Sequence, residues 1–188
     1  NVPYAKPLEP VVEADAHGST SLDGDGPAVE RGSGWRGRDG RTPWAAIDTR
    51  RPRLAEDDLA ELAARLSGSA RAVIVAGPHP EAARLGPVLR RLSAVWGVPL
   101  LADPLSGART GGEGAAPVTA YDLFLRDGEV SAALEPDRIL RVGAAPTSAA
   151  LLSWLDAHRE CDQIVIDAGR RWKDHLASAQ SVVQACPV

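Results

Sequence analysis

The run from Asp137 to Leu155, DRILRVGAAPTSAALLSWL, limits the fold more than any other stretch of this chain. Ile139, Leu140 and Val142 form an apolar run too short for a helix, whereas Leu151, Leu152 and Leu155 recur at three- and four-residue spacing behind Thr147 and Ser148. A strand, a Gly-Ala-Ala-Pro turn and a helix therefore follow one another. Near-continuous hydrophobicity suits a parallel strand covered on both faces better than a hairpin strand wet on one side.

The same pattern recurs along the chain. An acidic first turn, Glu56, Asp57 and Asp58, precedes Leu59, Leu62 and Leu66, which reads as an amphipathic helix with its dipole favoured. Arg71 to Gly77, RAVIVAG, is the clearest strand. Leu85, Val88, Leu89, Leu92 and Val95 mark a second helix, kinked or interrupted at Gly86-Pro87 and ended at Gly97. Val98 to Ala102 is the next strand, followed by a short helix from Ala120 to Leu125 capped by Thr119, the opening unit, a strand from Gln163 to Ile166, and a last apolar pair, Val182 and Val183. Trp44 to Ile47 reads as one more short strand. Alternation of this kind predicts an α/β fold: a Rossmann-like, doubly wound parallel sheet of about five or six strands with helices on both faces.

With 188 residues the chain has room for one well-buried domain and a loose arm. Prolines at 3, 7 and 10 make residues 1–10 an extended linker from a preceding domain; residues 11–41, rich in Gly, Ser and Asp, read as a flexible arm; residues 42–188 form the α/β domain. The chain starts at Asn1 and holds no Met, so it is expected to be a piece of a longer polypeptide. A net charge of -4 gives no electrostatic reason to bind nucleic acid, and no apolar run approaches the ~20 residues of a spanning helix. Cys161 and Cys186, without Cys-x-x-Cys spacing, suit a reducing cytoplasm and carry no expectation of a disulfide.

Doubly wound sheets bind ligands beyond the carboxyl ends of their strands, which directs attention to the loops after Ala76, Ala102, Val142 and Ile166. None of these loops has a nucleotide fingerprint. Gly77-Pro78-His79-Pro80 places prolines where free amides would meet a pyrophosphate, and Gly143-Ala144-Ala145-Pro146-Thr147 lacks the second Gly and the Lys of a phosphate-binding loop. His17, His79, His158 and His175 show no metal-ligand spacing, and Ser106 lies outside a nucleophile elbow and reads as a turn residue or cap. The arginines between Arg31 and Arg53 are interleaved with Glu30, Asp39 and Asp48, as on a solvated or interdomain face.

NVPYAKPLEP, VIVAGP, VPLLADPLSG, AYDLFLR, RVGAAPTSAALLSWL and QIVIDAGRRWKDHLASA together resemble the middle domain of a family of thiamine-diphosphate enzymes, the 2-succinyl-5-enolpyruvyl-6-hydroxy-3-cyclohexene-1-carboxylate synthases of menaquinone biosynthesis. The resemblance implies a parent transferase of three α/β domains, at least a homodimer or homotetramer. Such an enzyme decarboxylates 2-oxoglutarate on thiamine diphosphate and adds the four-carbon carbanion to isochorismate, with Mg²⁺ holding the diphosphate. The first and third domains carry the cofactor in this family, so no catalytic, cofactor or metal residue is expected here, and the partners are the flanking cofactor domains. Gly24-Asp25-Gly26 imitates the family's metal motif, but Asn1 is the only asparagine, so the Asn that should follow it is missing. Where the family tends to place basic residues after the PTS turn, this chain has Ala149 and Ala150, which leaves Arg109, Arg141 and Ser148 as candidate substrate or effector contacts. An effector- or nucleotide-binding regulatory domain is the alternative.

Overall fold

A computed structural model describes residues 52–169 and 174–187. Five parallel strands, β1 (Ala72–Ala76), β2 (Leu100–Ala102), β3 (Arg138–Val142), β4 (Asp162–Ile166) and β5 (Ser181–Val183), form one sheet in the order β2-β1-β3-β4-β5. The α/β doubly wound expectation holds, with five strands among the described residues; residues 44–47 lie outside them. From the central pair β1 and β3 the chain winds outwards in both directions, so right-handed crossovers put the β1-to-β2 connection on one face and the later connections on the other.

The burial pattern follows that winding. Ile74, Leu140, Val142 and Ile164 point to one face, under α1 (Glu56–Ser67) and α2 (Ala82–Trp96). Val75, Ile139 and Leu101 point to the other, under α3 (Tyr121–Phe124) and α5 (Ala149–Ala157), where Tyr121, Leu151, Trp154 and Leu155 close the core. Two-sided burial is the reason the strands lack a polar alternation.

Several local expectations change. Helix α2 runs without a break through Pro87, and Gly86 is needed for a different reason: a Cβ there would sit 2.1 Å from the Gly107 carbonyl oxygen, so the helix lies directly on that loop. Val95, counted among the apolar positions of α2, is 88% exposed, because it lies off the stripe of Leu85, Leu89, Leu92 and Trp96 that packs against the sheet. Strand β2 starts only at Leu100, since the Val98 amide is bound to the Ser93 carbonyl in closing α2 and Pro99 has no amide to donate. Thr119 does not cap α3, whose N-cap is Ala120; Val118 is instead bridged to Leu101. An unforeseen helix, α4 (Gly128–Ala133), begins at Asp127, which accepts from the amides of Glu129 and Val130. Its six residues are too few to show a periodicity. Cys161 and Cys186 form no disulfide among the described residues.

Candidate functional site

In a sheet of this strand order the customary ligand crevice opens between β1 and β3, where the winding reverses. Here that crevice is filled by main chain. The Gly77 amide donates to the Val142 carbonyl at 2.9 Å and the Ala144 amide to the Pro78 carbonyl at 2.9 Å, which stitches the two loops together. Gly77 and Gly143 make the approach feasible: a Cβ on Gly77 would lie 1.8 Å from the Ala144 carbonyl oxygen, and one on Gly143 2.7 Å from that of Pro78.

Polar chemistry gathers one strand over, beyond β2. Asp103, fully buried, takes the Leu105 amide on Oδ1 at 2.9 Å and both the amide and hydroxyl of Thr147 on Oδ2 at 2.7 Å. A carboxylate thus locks the β2 loop to the PTS turn. The next residue, Ser148, accepts from the Leu151 amide as the N-cap of α5 and donates its hydroxyl to Asp122 Oδ1 at 2.5 Å. That bond, followed by the Arg126 pair, holds the Asp122 carboxyl below its ordinary range. Ser106 also lies here as a turn residue, donating to the Asp103 carbonyl and accepting from the Ala108 amide.

Arg109 donates Nε to the Ala102 carbonyl at 2.8 Å and carries its guanidinium 6.0 Å from the centre of the Tyr121 ring. Its guanidinium is also a hydrogen-bond donor towards the Tyr121 phenol. Tyr121 is 1% exposed, and its hydroxyl is fully buried. Burial pushes the phenol above its ordinary value, and Arg109 draws it part of the way back. At the end of β4, Asp167 Oδ2 is buried without a partner among the described residues.

The three residues singled out from sequence are not brought together. Arg109 and Ser148 both border the loop beyond β2. Arg141 instead points to the face covered by α5 and residues 174–178, with Nη1 donating to Asp174 Oδ1 at 2.8 Å and Ser178 Oγ at 3.1 Å. That side chain is 5% exposed and its partner's 2%. Gln163, on the same face, bonds the Leu155 and His158 carbonyls, so the polar cluster also fixes the end of α5. Sequence reasoning looked for cations and passed over the carboxylate that organises the edge. Asp103 and Asp122 stand inside the runs VPLLADPLSG and AYDLFLR, but nothing in one sequence tells a structural carboxylate from a solvated one.

As for the cofactor that the resemblance implies, the residues described do not fit it. The switch-point crevice has no room for a diphosphate, the described residues contain no group of three or more His, Cys, Asp or Glu able to hold a metal, and Gly24-Asp25-Gly26 lies outside them. No helix among the described residues is long and apolar enough to cross a membrane.

No protein-family model matches the chain. Three curated relatives align with essentially all of it. The 2-succinyl-5-enolpyruvyl-6-hydroxy-3-cyclohexene-1-carboxylate synthase of Halobacterium salinarum is 38% identical over 191 residues, covering 100% of this chain and 31% of that protein. The synthase of Halorubrum lacusprofundi is 37% identical over 198 residues, with 100% and 30% covered. That of Geobacillus kaustophilus is 33% identical over 186 residues, with 98% and 29% covered. An X-ray structure of a candidate thiamin diphosphate-dependent enzyme isolated from Mycobacterium smegmatis aligns with 76% of this chain and 28% of its own, at 19% identity and a TM-score of 0.47; that likeness carries no part of the argument below. The chain spans about 30% of the length of the curated relatives it matches. By homology along its whole length, this chain belongs to the 2-succinyl-5-enolpyruvyl-6-hydroxy-3-cyclohexene-1-carboxylate synthase family.

Proposed function

We propose that this chain is the non-catalytic middle domain of a thiamine-diphosphate-dependent synthase of menaquinone biosynthesis. The parent joins the four-carbon unit left by decarboxylation of 2-oxoglutarate to isochorismate, in the cytoplasm and as a homodimer or homotetramer. Thiamine diphosphate, held with Mg²⁺ by the flanking domains, supplies the carbanion stabilisation, and this domain's share is to space and brace those domains. In this reading residues 1–10 link to the preceding domain, residues 11–41 form an arm, and residues 42–188 are the α/β body. One observation carries the non-catalytic assignment: the crevice that a doubly wound sheet customarily gives to a ligand is occupied here by the main chain of the Gly77 and Gly143 loops.

Isothermal titration of thiamine diphosphate and Mg²⁺ into the 188-residue chain tests this. No binding heat is expected, against clear binding and condensation by the full-length synthase. Micromolar binding to the chain alone would refute the bracing role. A second reading, an effector-binding domain, is favoured by Arg109, whose guanidinium stands at a strand's carboxyl end where regulators of such sheets would approach. A ligand-induced rise in the melting temperature of the full-length enzyme, lost in Arg109→Ala, is its signature.

A further inference from the structure

The late start of β2 leaves its neighbour incomplete. Along β1, alternate residues turn their main-chain groups to opposite sides. The Gly77 amide, just past the strand, reaches β3, whereas the Ile74 amide reaches the Pro99 carbonyl at 2.9 Å and the Ala76 carbonyl receives the Asp103 amide on the β2 side. Ala72, two residues before Ile74, therefore presents its amide and carbonyl towards β2. Opposite it the ladder fails. Pro99 has no amide to give, and Val98 is committed to the end of α2, its amide to the Ser93 carbonyl and its carbonyl to the Ser93 hydroxyl at 2.6 Å. Neither main-chain group of Ala72 has a hydrogen-bond partner among the described residues, although the residue is only 4% exposed. Buried main chain is almost always paired, so a donor and an acceptor left side by side call for an occupant.

The space beside them is a cavity of about 310 Å³ at the amino end of the sheet, at the small end of the range for ligand pockets. Ala72, Val98 and Pro99 line it together with Val73, Leu134 and Trp154, whose indole N–H is taken by the Leu134 carbonyl at 3.2 Å. The side chains around it are apolar except for Arg71 and Glu135, whose opposite charges favour neither an anion nor a cation. Main chain at Ala72 is thus the polar feature left to fix the orientation of anything that enters.

We infer that this cavity binds a small, uncharged, planar ring whose edge carries a hydrogen-bond acceptor beside a donor, as a lactam does. The acceptor takes the Ala72 amide and the donor meets the Ala72 carbonyl, so the ligand completes the pairing that Pro99 denies to β2. Apolar side chains bury the faces of the ring. The site lies at the opposite end of the sheet from Arg109 and the PTS turn, and it depends neither on the bracing role nor on an effector at that other edge.

Saturation-transfer NMR on the full-length synthase tests this. The probes are 2-quinolone and N-methyl-2-quinolone, which keeps the ring and the acceptor but loses the donor. Saturable binding of 2-quinolone is expected. N-methylation is expected to weaken it about tenfold or more, because the Ala72 carbonyl is then buried against a methyl group. Pro99→Ala supplies the missing amide and lets β2 extend alongside Ala72, and Leu134→Trp, at a position 42% exposed, fills the cavity without touching the sheet. Each is expected to lower 2-quinolone binding by a similar factor while the circular dichroism spectrum stays unchanged. Equal binding of the two quinolones, or binding undiminished in either folded variant, would overturn the assignment. So would the absence of saturable binding, the result expected of a cavity that holds water alone.

Discussion

The ion pair of Arg141 with Asp174 is the most decisive place to perturb this fold. Arg141→Met removes the cation and leaves a carboxylate that is 2% exposed, with the Ala179 amide at 2.9 Å as its remaining firm donor. Breaking one side of a buried pair costs about 3–5 kcal/mol, because the surviving charge stays desolvated. Asp174→Leu strands the guanidinium and is expected to cost a similar amount. Arg141→Met combined with Asp174→Leu removes both charges and is expected to recover most of the loss, giving a coupling energy of about 2 kcal/mol or more. Urea unfolding of the four proteins, followed by tryptophan fluorescence, closes the cycle. The pH dependence supplies a second reading. Burial alone would push the Asp174 carboxyl up, but the Ala179 amide and then the Arg141 guanidinium outweigh it and hold the group below its ordinary value. Its stabilisation is therefore complete above the unfolded carboxylate range and is lost as pH falls through the lower folded value. The double variant lacks that part of the acid slope. Should Arg141→Met cost less than about 1 kcal/mol, or the double variant lose the sum of both singles, the structural role argued for Arg141 is wrong. A double variant that unfolds normally yet cripples the full-length synthase would restore Arg141 as a substrate contact.

Gly77→Ala forces a methyl group to within 1.8 Å of the Ala144 carbonyl oxygen, where main chain must yield; a loss of about 2–3 kcal/mol in urea unfolding is expected, opposite in sign to the slight gain Gly→Ala brings at an unhindered position. Ser148→Ala removes both the α5 cap and the bond to Asp122, so it is expected to cost about 1–2 kcal/mol, with faster amide exchange at Leu151 as the local sign. An unchanged exchange rate at Leu151 would show that the cap is dispensable.

Sequence by itself determined the fold class, because its signal is carried by short-range patterns. A continuous apolar run such as RAVIVAG has only one economical use, a strand covered on both sides, and the leucine spacing after Ser148 has only one helical face to bury. The start of this helix behind Thr147 and Ser148 was legible for the same reason, since helix-start signals act on amides two or three residues away. Helix α4 was not legible, for what fixes it is the Asp127 cap rather than any repeat in six residues. What only tertiary structure decided is how positions far apart in the chain meet. Gly77 reads as a loop residue until Ala144 is set against it, Arg141 as a free cation until Asp174 is found beneath it, and Asp103 as a solvated acid until Thr147 arrives at 2.7 Å. The physical reason is that burial and hydrogen bonding, which decide whether a charge is spent on structure or left over for a partner, are properties of the folded surroundings and not of the residue.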